Sequence, residues 1–441
     1  MLDIKFIREN PQVVQEAAKN KGIDIDINHV LKIDSKYREL SLSVQKLREE
    51  KNKVSRAASN AAAATSDRVD KKNIEEGKRI KDKLEKEEHA LKVIEEELRN
   101  ELLKIPNLPL STVPVGDQSK FEIIKKVSSK GRPASGWDFT PKDHLELGEK
   151  LDIIDVQRAV KVSGSRFAYL KNEGALLEFA LVQFVMEKLL KEGFIPILPP
   201  MLIKHKITEG LGYWTKGNHN NYYLVTDYEE VDEGKEKENP LYLIGTAEHS
   251  IVPMHKDEVF NANDLPKKYI GFSSAFRREA GTYGKDTRGI LRVHQFDKLE
   301  MVEFVRSDED EKERRKMLSL AEGLMQDLDL PYQLVQLASE DLAFPSAETI
   351  DVETWMPSQN KYRETHSIST TTDFQARRLN IKYQDGNEKK YAHILNGTAF
   401  AIGRTIVAIL ENYQQEDGCV IIPKILQKYM HNLEKITPKK H

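Results

Sequence analysis

Arginine and aromatic side chains are concentrated in residues 276–300, where their types and spacing suit nucleotide binding. Arg277 and Arg292 stand near the ends of two strand-like runs that flank a glycine-rich, charged loop. Guanidinium groups hold phosphate oxygens through paired hydrogen bonds. Phe296 lies four residues after Arg292, so we expect both on one strand face, with the ring able to stack on a base. The segment predicts a cradle for phosphate and base, although a charged surface hairpin has a similar pattern.

A second candidate site combines acidic residues with a short polar run. Asp351 and Glu353 alternate along one predicted strand, and Glu364 and Ser367 lie in the polar run 362–367. Alternation places carboxylates on one strand face, where they can bind Mg²⁺ together with substrate phosphates. An exposed strand face has the same pattern, so the acidic residues alone do not decide the function.

Arg404 is the charged residue at the start of an otherwise apolar helix, predicted over residues 402–413. Its partner is either a nucleotide phosphate or, more simply, a carboxylate in a buried salt bridge. The sequence lacks a Gly-x-x-x-x-Gly-Lys-Ser/Thr loop, and no dinucleotide glycine fingerprint follows a strand; the run Gly281–Asp286 is too short and ends differently. Side chains must therefore hold any nucleotide.

The composition sets the broad class. The chain has 441 residues, of which 39% are hydrophobic and 32% charged, with a formal net charge of −3. We expect at least two domains and exclude wholesale disorder and a histone-like basic binder, but not a basic patch for nucleic acid. The single cysteine, Cys419, excludes an intrachain disulfide framework and fits a reducing, cytoplasmic location. No membrane or export segment is expected, because the most apolar stretch, residues 176–186, is short and interrupted.

Two heptad-like apolar stripes in the N-terminal quarter predict an antiparallel coiled-coil hairpin. The stripes are Val30, Ile33, Tyr37, Leu40, Val44, Leu47 and Val54, then Ile80, Leu84, Leu91, Ile94, Leu98 and Ile105. We expect two helices joined near residue 65 that form a projecting arm about 45 Å long. An ordinary bundle is the alternative, but its core needs wider apolar faces.

Basic residues gather near the expected tip of this arm: Lys51, Lys53, Arg56, Arg68, Lys71 and Lys72. Positive charge there suits the phosphates of a nucleic acid. A merely solvated surface explains the charges equally well, so charge alone leaves the partner open.

Beyond Pro106 and Pro109 the pattern changes from long helices to short β-rich runs. Helices are expected at 176–192, 306–328 and 402–413, and strands at 195–198, 241–244, 269–272, 293–296 and 349–353. Strands outnumber crossover helices, which predicts an α+β domain on a largely antiparallel sheet. The expected boundaries are an N-terminal domain over 1–105 with the hairpin at about 28–105, a linker over 106–118 and a second domain over 119–441.

Three segments, in order, resemble motifs 1, 2 and 3 of the class II aminoacyl-tRNA synthetases: residues 176–200, 276–300 and 403–414. The triplet Thr246-Ala247-Glu248, the helical hairpin and the run 105–109 resemble features of the seryl-tRNA synthetase family. The resemblance covers nearly the whole chain. It implies a class II catalytic domain on a mainly antiparallel sheet flanked by helices, preceded by a tRNA-binding coiled-coil arm.

The resemblance also implies an activity and its residues. L-Serine and ATP with Mg²⁺ would give seryl-adenylate, from which serine passes to the 3′ end of tRNA(Ser), with tRNA(Sec) as a further candidate. Implied catalytic residues are Arg277, Glu364 and Arg404. Implied ATP-binding residues are Arg277, Arg278, Glu279, Arg292, Val293, Phe296, Glu364, Thr365, His366, Ser367 and Arg404. Implied serine-binding residues are Thr246, Ala247, Glu248, Arg277, Glu300, Asn396 and Thr398. Glu364 and Ser367 are implied to bind Mg²⁺, and the six basic arm residues to bind tRNA.

The sequence departs from the family pattern at three positions. His366 lies in a run where the family usually has a cysteine nearby, Thr398 replaces a serine usual in bacterial members, and His249 follows the serine triplet in place of an apolar residue. None of these changes removes a charge that the mechanism requires. We expect the methyl group of Thr398 to narrow the serine pocket, and His249 to be a local substitution rather than a catalytic base.

The leading hypothesis is an active, cytoplasmic, homodimeric synthetase without a membrane partner, with motif 1 at the dimer interface. The main alternative is a catalytically altered paralogue that acts as a tRNA-binding or regulatory protein. An amino acid:carrier-protein ligase is a second alternative, but it has no use for a long tRNA-binding hairpin. A coiled-coil scaffold leaves the polar constellations of residues 246–404 unexplained.

Overall fold

The computed structural model describes residues 1–64, 71–130, 137–213, 221–225, 240–280 and 288–439, with residues 57–64 and 71–74 described by their backbone alone. The chain divides into two compact units, Met1–Pro106 and Asn107–His441. In the described part of the chain, no helix combines the length and apolar character needed to cross a membrane.

The first unit is built from helices α1 (Ile4–Glu9), α2 (Pro11–Asn20), α3 (Ile27–Ala64) and α4 (Lys71–Leu102). Helices α3 and α4 run antiparallel, because Val54 faces Gly77 whereas Arg48 pairs with Glu88. Their seam buries Val44, Leu47 and Leu84. The other apolar stripe residues are buried or half-buried as well, so the predicted helical hairpin is confirmed.

The second unit mixes short helices with many strands. Its helices are α5 (His144–Lys150), α6 (Val156–Ser163), α7 (Glu173–Lys191), α8 (His205–Leu211), α9 (Glu248–Ile251), α10 (Asp310–Asp327), α11 (Phe374–Leu379), α12 (Ile402–Tyr413) and α13 (Lys424–Gln427). Its strands are β1 (Glu122–Val127), β2 (Ile154–Asp155), β3 (Tyr169–Leu170), β4 (Ile195–Ile197), β5 (Leu202–Lys204), β6 (Leu224–Val225), β7 (Leu241–Leu243), β8 (Val259–Asn261), β9 (Lys267–Phe276), β10 (Gln295–Val305), β11 (Tyr332–Gln336), β12 (Glu348–Met356), β13 (Lys361–Thr370), β14 (Lys382–Asp385), β15 (Glu388–Tyr391), β16 (His393–Ala401), β17 (Val420–Ile421) and β18 (Lys435–Ile436).

An eight-stranded sheet in the order β1-β11-β12-β13-β16-β10-β9-β4 is the centre of this unit. All neighbours pair antiparallel except β4 and β9, which pair parallel. Helices α7 and α12 cover one face through a large apolar core that includes Leu181, Val185, Ile406 and Leu410. The mainly antiparallel α+β architecture is therefore confirmed, and the predicted helices at 176–192, 306–328 and 402–413 correspond to α7, α10 and α12.

One local prediction is wrong. Strand β10 begins at Gln295, so Arg292 lies in the irregular segment before it and does not share a strand face with Phe296. Arg277 likewise follows the last residue of β9. Both arginines extend from the end of the β9–β10 pair, where the ordered ladder gives way to loops and side chains gain freedom of direction.

Candidate active site

A cavity of about 520 Å³ opens over the middle of the large sheet, where β10, β12, β13 and β16 supply lining residues. We call it the central cavity. The predicted site residues that line it are Thr246, Glu248, Arg277, Glu279, Arg292, Glu300, Glu364, Ser367, Asn396, Thr398 and Arg404. A connected depression is lined in addition by Val293, Phe296 and Thr365. The fold thus brings together residues that are far apart in sequence.

Three guanidinium groups face this cavity, each held by a different partner. Arg277 donates from Nε to the carbonyl oxygen of Gly245 over 3.1 Å, and its guanidinium carbon lies 5.3 Å from the ring centre of Phe296. Arg292 pairs with Glu279 at 2.6 Å. Arginine donors fixed in this way suit several phosphate groups of one nucleotide.

Arg404, at the start of α12, forms an ion pair with Glu364: Nη1 lies 3.1 Å from Oε1. The same nitrogen donates to the carbonyl oxygen of Glu364 over 2.9 Å. The negative charge of Glu364 raises the pKa of Arg404. The salt-bridge alternative is therefore observed, and because Arg404 also lines the central cavity, phosphate binding is compatible with it.

A β-bulge in β13 sets which side chains point into the cavity. Val352 of β12 pairs with His366, but the next residue, Glu353, pairs with Glu364, so Thr365 has no register partner. An extra residue in one strand shifts the alternation of side chains by one position. Two residues three apart in β13 can consequently face the same side of the sheet.

Glu364 and Ser367 are those two residues, and Asp351 of β12 lines the cavity beside them. Asp351 is only 8% exposed, and its Oδ1 has no hydrogen-bond partner. Burial and the charge of Glu364 raise the pKa of Asp351. The three side chains offer oxygen ligands of the kind that Mg²⁺ prefers.

The bulge also sends one predicted ATP-binding residue to the opposite face. His366 is buried, its Nδ1 lies 2.8 Å from Oγ1 of Thr365, and its ring packs 5.5 Å from that of Phe400. Burial lowers the pKa of His366 to about 4. His366 does not line the cavity; it is a neutral core residue, so its assignment to ATP is not supported.

Two further predicted residues lie outside the cavity lining. Arg278 is exposed, and the side chain of Ala247 is fully buried in a second apolar core. The glycine-rich loop residues 281–287 lie outside the described residues.

The inner end of the cavity is built around Glu248. This carboxylate is 2% exposed and accepts hydrogen bonds from Tyr213 at 3.1 Å and Gln375 at 2.9 Å. Burial raises the pKa of Glu248 to about 7, and the charge of Glu300 acts in the same direction. A buried carboxylate of this kind is a receptor for a cation such as an ammonium group.

Lys298 also lines the central cavity, although the sequence analysis did not single it out. Its ammonium group lies 2.6 Å from Oε2 of Glu300, and Thr398 donates to the same oxygen over 3.4 Å. Burial lowers the pKa of Lys298. The signal was present, since Phe296, Lys298 and Glu300 alternate along β10 and therefore share one face.

Other lining residues were also missed, namely Asn221, Tyr213, Tyr222 and, as a cavity residue, His249. None belongs to a charged motif, and each comes from a segment outside the large sheet. Composition and spacing carry no signal for such contacts.

The predicted tRNA-binding residues belong to the first unit. Lys51, Lys53 and Arg56 are exposed on α3. Arg68 lies outside the described residues, as do the side chains of Lys71 and Lys72.

Family models match most of this chain. The model of the seryl-tRNA synthetase N-terminal domain matches residues 1–109, and that of the tRNA synthetase class II core domain (G, H, P, S and T) matches residues 223–413. The chain is 39% identical over 444 residues to a serine–tRNA ligase of Dictyoglomus turgidum and 41% identical over 445 residues to one of Dictyoglomus thermophilum, each covering 100% of both chains.

Solved structures give the same result. A seryl-tRNA synthetase from Pyrococcus horikoshii complexed with ATP is 36% identical, with a TM-score of 0.89 and coverage of 100% of both chains. A cytoplasmic serine–tRNA ligase from Naegleria fowleri in complex with AMP is 29% identical, with a TM-score of 0.86 and coverage of 100% of this chain and 99% of that one. Because the two family models match most of the chain and serine–tRNA ligases are about 40% identical to it over their full length, this chain belongs to the seryl-tRNA synthetase family of class II aminoacyl-tRNA synthetases.

Proposed function

We propose that this protein joins L-serine to the 3′ end of tRNA(Ser) in two steps. The serine carboxylate attacks the α-phosphorus of ATP, the bond to pyrophosphate breaks, and seryl-adenylate forms. A hydroxyl of the terminal tRNA ribose then attacks the acyl carbon and releases AMP. The observation that carries the proposal is the convergence of Arg277, Arg292 and Arg404 with Glu248 and Glu300 on one cavity.

The arginines serve the first step by binding charge. We assign Arg277 to the α-phosphate and Arg404 to the distal phosphates. Arg292 assists in binding the nucleotide. Phe296, beside Arg277, provides a ring for the adenine, and Glu279 with the backbone of Val293 recognises its edge. Serine brings its own nucleophile, so the protein acts by positioning its substrates and neutralising phosphate charge.

The residues around the bulge fit Mg²⁺. The buried Oδ1 of Asp351 lacks a partner, and Glu364 and Ser367 line the cavity with it. No group of three or more His, Cys, Asp or Glu side chains in the described ranges is arranged as a metal site, so phosphate oxygens and water would complete the ligands. Glu364 and Ser367 would hold the ion, which when bound neutralises charge on the phosphates.

The inner end of the cavity suits serine. Glu248 and Thr246 would bind the ammonium group, and Glu300 with Thr398 the hydroxyl end, with Asn396 beside them. Alanine would leave the buried polar groups at that end without partners, which disfavours it. Threonine would meet the methyl group of Thr398 at the same place.

The N-terminal domain, residues 1–105, would hold the tRNA, with Lys51, Lys53, Arg56, Arg68, Lys71 and Lys72 contacting its phosphates; residues 119–441 would form the catalytic domain. An aminoacylation assay with tRNA(Sec) decides whether that tRNA is also a substrate. We place the protein in the cytoplasm.

A homodimer through motif 1 is part of the proposal. Phe179 of α7 is 61% exposed, Ile195 of β4 is 50% exposed and the following Leu198 is 78% exposed. Large apolar side chains exposed on adjoining elements are typical of a protein interface.

The test is ATP–pyrophosphate exchange with serine, threonine, alanine and cysteine in parallel. We expect exchange with serine and far less with the other three. Absence of exchange at saturating serine would replace this proposal with the catalytically altered paralogue, which no observation in the described residues currently favours.

A further inference from the structure

His249 lies where its imidazole can act on Arg277 through the backbone of Gly245. It is 2% exposed, and its Nδ1 accepts a hydrogen bond from the backbone N–H of Gly245 over 3.2 Å. The carbonyl oxygen of the same Gly245 accepts from Nε of Arg277 over 3.1 Å. One residue thus links the imidazole to the guanidinium.

The surroundings of Gly245 show why this link is tight. A Cβ atom there would lie 3.0 Å from Cε1 of Tyr222, 3.4 Å from Cε1 of His249 and 3.7 Å from Nε of Arg277. The preceding residue, Ile244, accepts from the backbone N–H of Phe276 over 2.8 Å, which anchors the segment to the end of β9. A side chain at position 245 would crowd the ring of Tyr222, so glycine suits this close approach of three side chains to the backbone.

The imidazole is held neutral and in one orientation. Burial lowers the pKa of His249 well below its usual value, and the charges of Arg277 and Lys298 lower it further. The rings of Tyr213 and Tyr222 lie 4.9 Å and 5.7 Å from it. Because Nδ1 accepts a hydrogen bond, the proton of the neutral ring is on Nε2.

We propose that His249 is a positioning residue for Arg277: it fixes the Gly245 peptide, whose carbonyl directs the guanidinium toward the α-phosphate of ATP. The inference rests on the proposed function for the identity of that phosphate. An arginine that is ordered before the substrate arrives does not have to be ordered on binding, so we expect the benefit in ATP binding and, more strongly, in the transition state, where charge on the α-phosphate increases.

Three substitutions separate this role from simple packing. His249→Asn keeps an acceptor near the position of Nδ1, His249→Gln moves its polar end to the position of Nε2, and His249→Phe keeps a ring without an acceptor. We expect kcat for serine-dependent ATP–pyrophosphate exchange to fall about tenfold in the Gln and Phe variants, as expected for a buried donor left unpaired. His249→Asn should retain clearly more activity than either.

The ranking decides between the roles. If the ring only fills space, His249→Phe will match or exceed His249→Asn in kcat, and the proposal is wrong. Melting temperatures of the three variants show whether each is folded when it is assayed.

A double-mutant cycle on ATP binding tests the inference even if the protein has no exchange activity. The dissociation constant of ATP is measured for wild type, His249→Phe, Arg277→Ala and the double variant. We expect His249→Phe to weaken ATP binding in wild type and to have no further effect once Arg277 is removed. Equal effects in both backgrounds would overturn the inference, whereas a wild-type protein that binds ATP but lacks exchange would count against the proposed function alone.

Discussion

The two units of this protein keep their charged side chains in opposite environments. In the helical arm, Arg48 and Glu88 form an ion pair at 2.7 Å with side chains that are 62% and 38% exposed. In the central cavity, Lys298 and Glu300 lie 2.6 Å apart with side chains that are 7% and 3% exposed. Exposed pairs contribute about 0–1 kcal/mol, whereas removing charges from water is unfavourable unless they are fully compensated.

This difference indicates what each set of charges does. Charges on the arm can change with little effect on folding. Their positions can therefore be set by the surface of a binding partner. The buried charges of Glu248, Lys298 and Glu300 destabilise the folded, ligand-free protein wherever their partners do not compensate the loss of hydration. We infer that the cavity charges are retained for ligands that complete them, and four predictions test this contrast.

The largest effect is expected for Arg277→Ala. Removal of the guanidinium takes away a fixed donor for charge that develops on the α-phosphate, so kcat for exchange should fall by roughly 10²–10³-fold. The measurement is serine-dependent exchange at saturating ATP. A variant that keeps more than a tenth of wild-type kcat would contradict the assignment of Arg277.

The second prediction addresses the arm. Replacing residues 35–98 with a short linker should leave seryl-adenylate formation within about twofold and reduce tRNA charging by more than about 100-fold, because the proposed phosphate contacts lie on the deleted helices. Exchange and charging are measured on the same preparation, so that exchange serves as the control for folding. Unchanged charging would remove the role assigned to the arm.

Sequence reasoning succeeded where one local pattern determines the structure. The apolar stripes through Val44, Leu47 and Leu84 require a partner helix, and the hairpin supplies it. The charged residues of motifs 2 and 3 were recognised from type and spacing, and the fold brings Arg277 and Arg404 to one cavity.

The failures have a common physical cause. The β-bulge at Thr365 depends on how β12 and β13 pair, and His366, assigned to ATP binding, does not line the cavity. Arg292 left the strand because β10 begins three residues later. Both depend on how the strands pair, on which a single sequence carries little information.

The third prediction concerns the pH dependence of serine binding. Burial raises the pKa of Glu248 from 4.5 to about 7, so below that pH the group is protonated and cannot pair with an ammonium ion. KM for serine should rise about tenfold for each pH unit below 7. Glu248→Gln should raise KM for serine at about pH 8 by at least tenfold. It should also make KM nearly independent of pH between about 5.5 and 8.

The same shift has the opposite sign for the stability of the ligand-free protein. Glu248 binds its proton more tightly in the folded state, so its contribution to stability is complete below pH 4.5 and is lost as the pH rises through about 7.

A pH-dependent KM for serine that is identical in wild type and Glu248→Gln would show that another group binds the ammonium.

The smallest effect is expected on the arm, for Arg48→Ala. Because the side chains of Arg48 and Glu88 are 62% and 38% exposed, a double-mutant cycle with Glu88→Ala should give a coupling energy of about 0.2–1 kcal/mol in the free energy of unfolding. Urea denaturation of the four proteins measures it, and exchange should be unchanged in all of them. A coupling above about 2 kcal/mol would mean that exposed arm charges make a substantial contribution to the stability of the fold. The contrast between arm and cavity would then no longer separate charges kept for folding from charges kept for ligands.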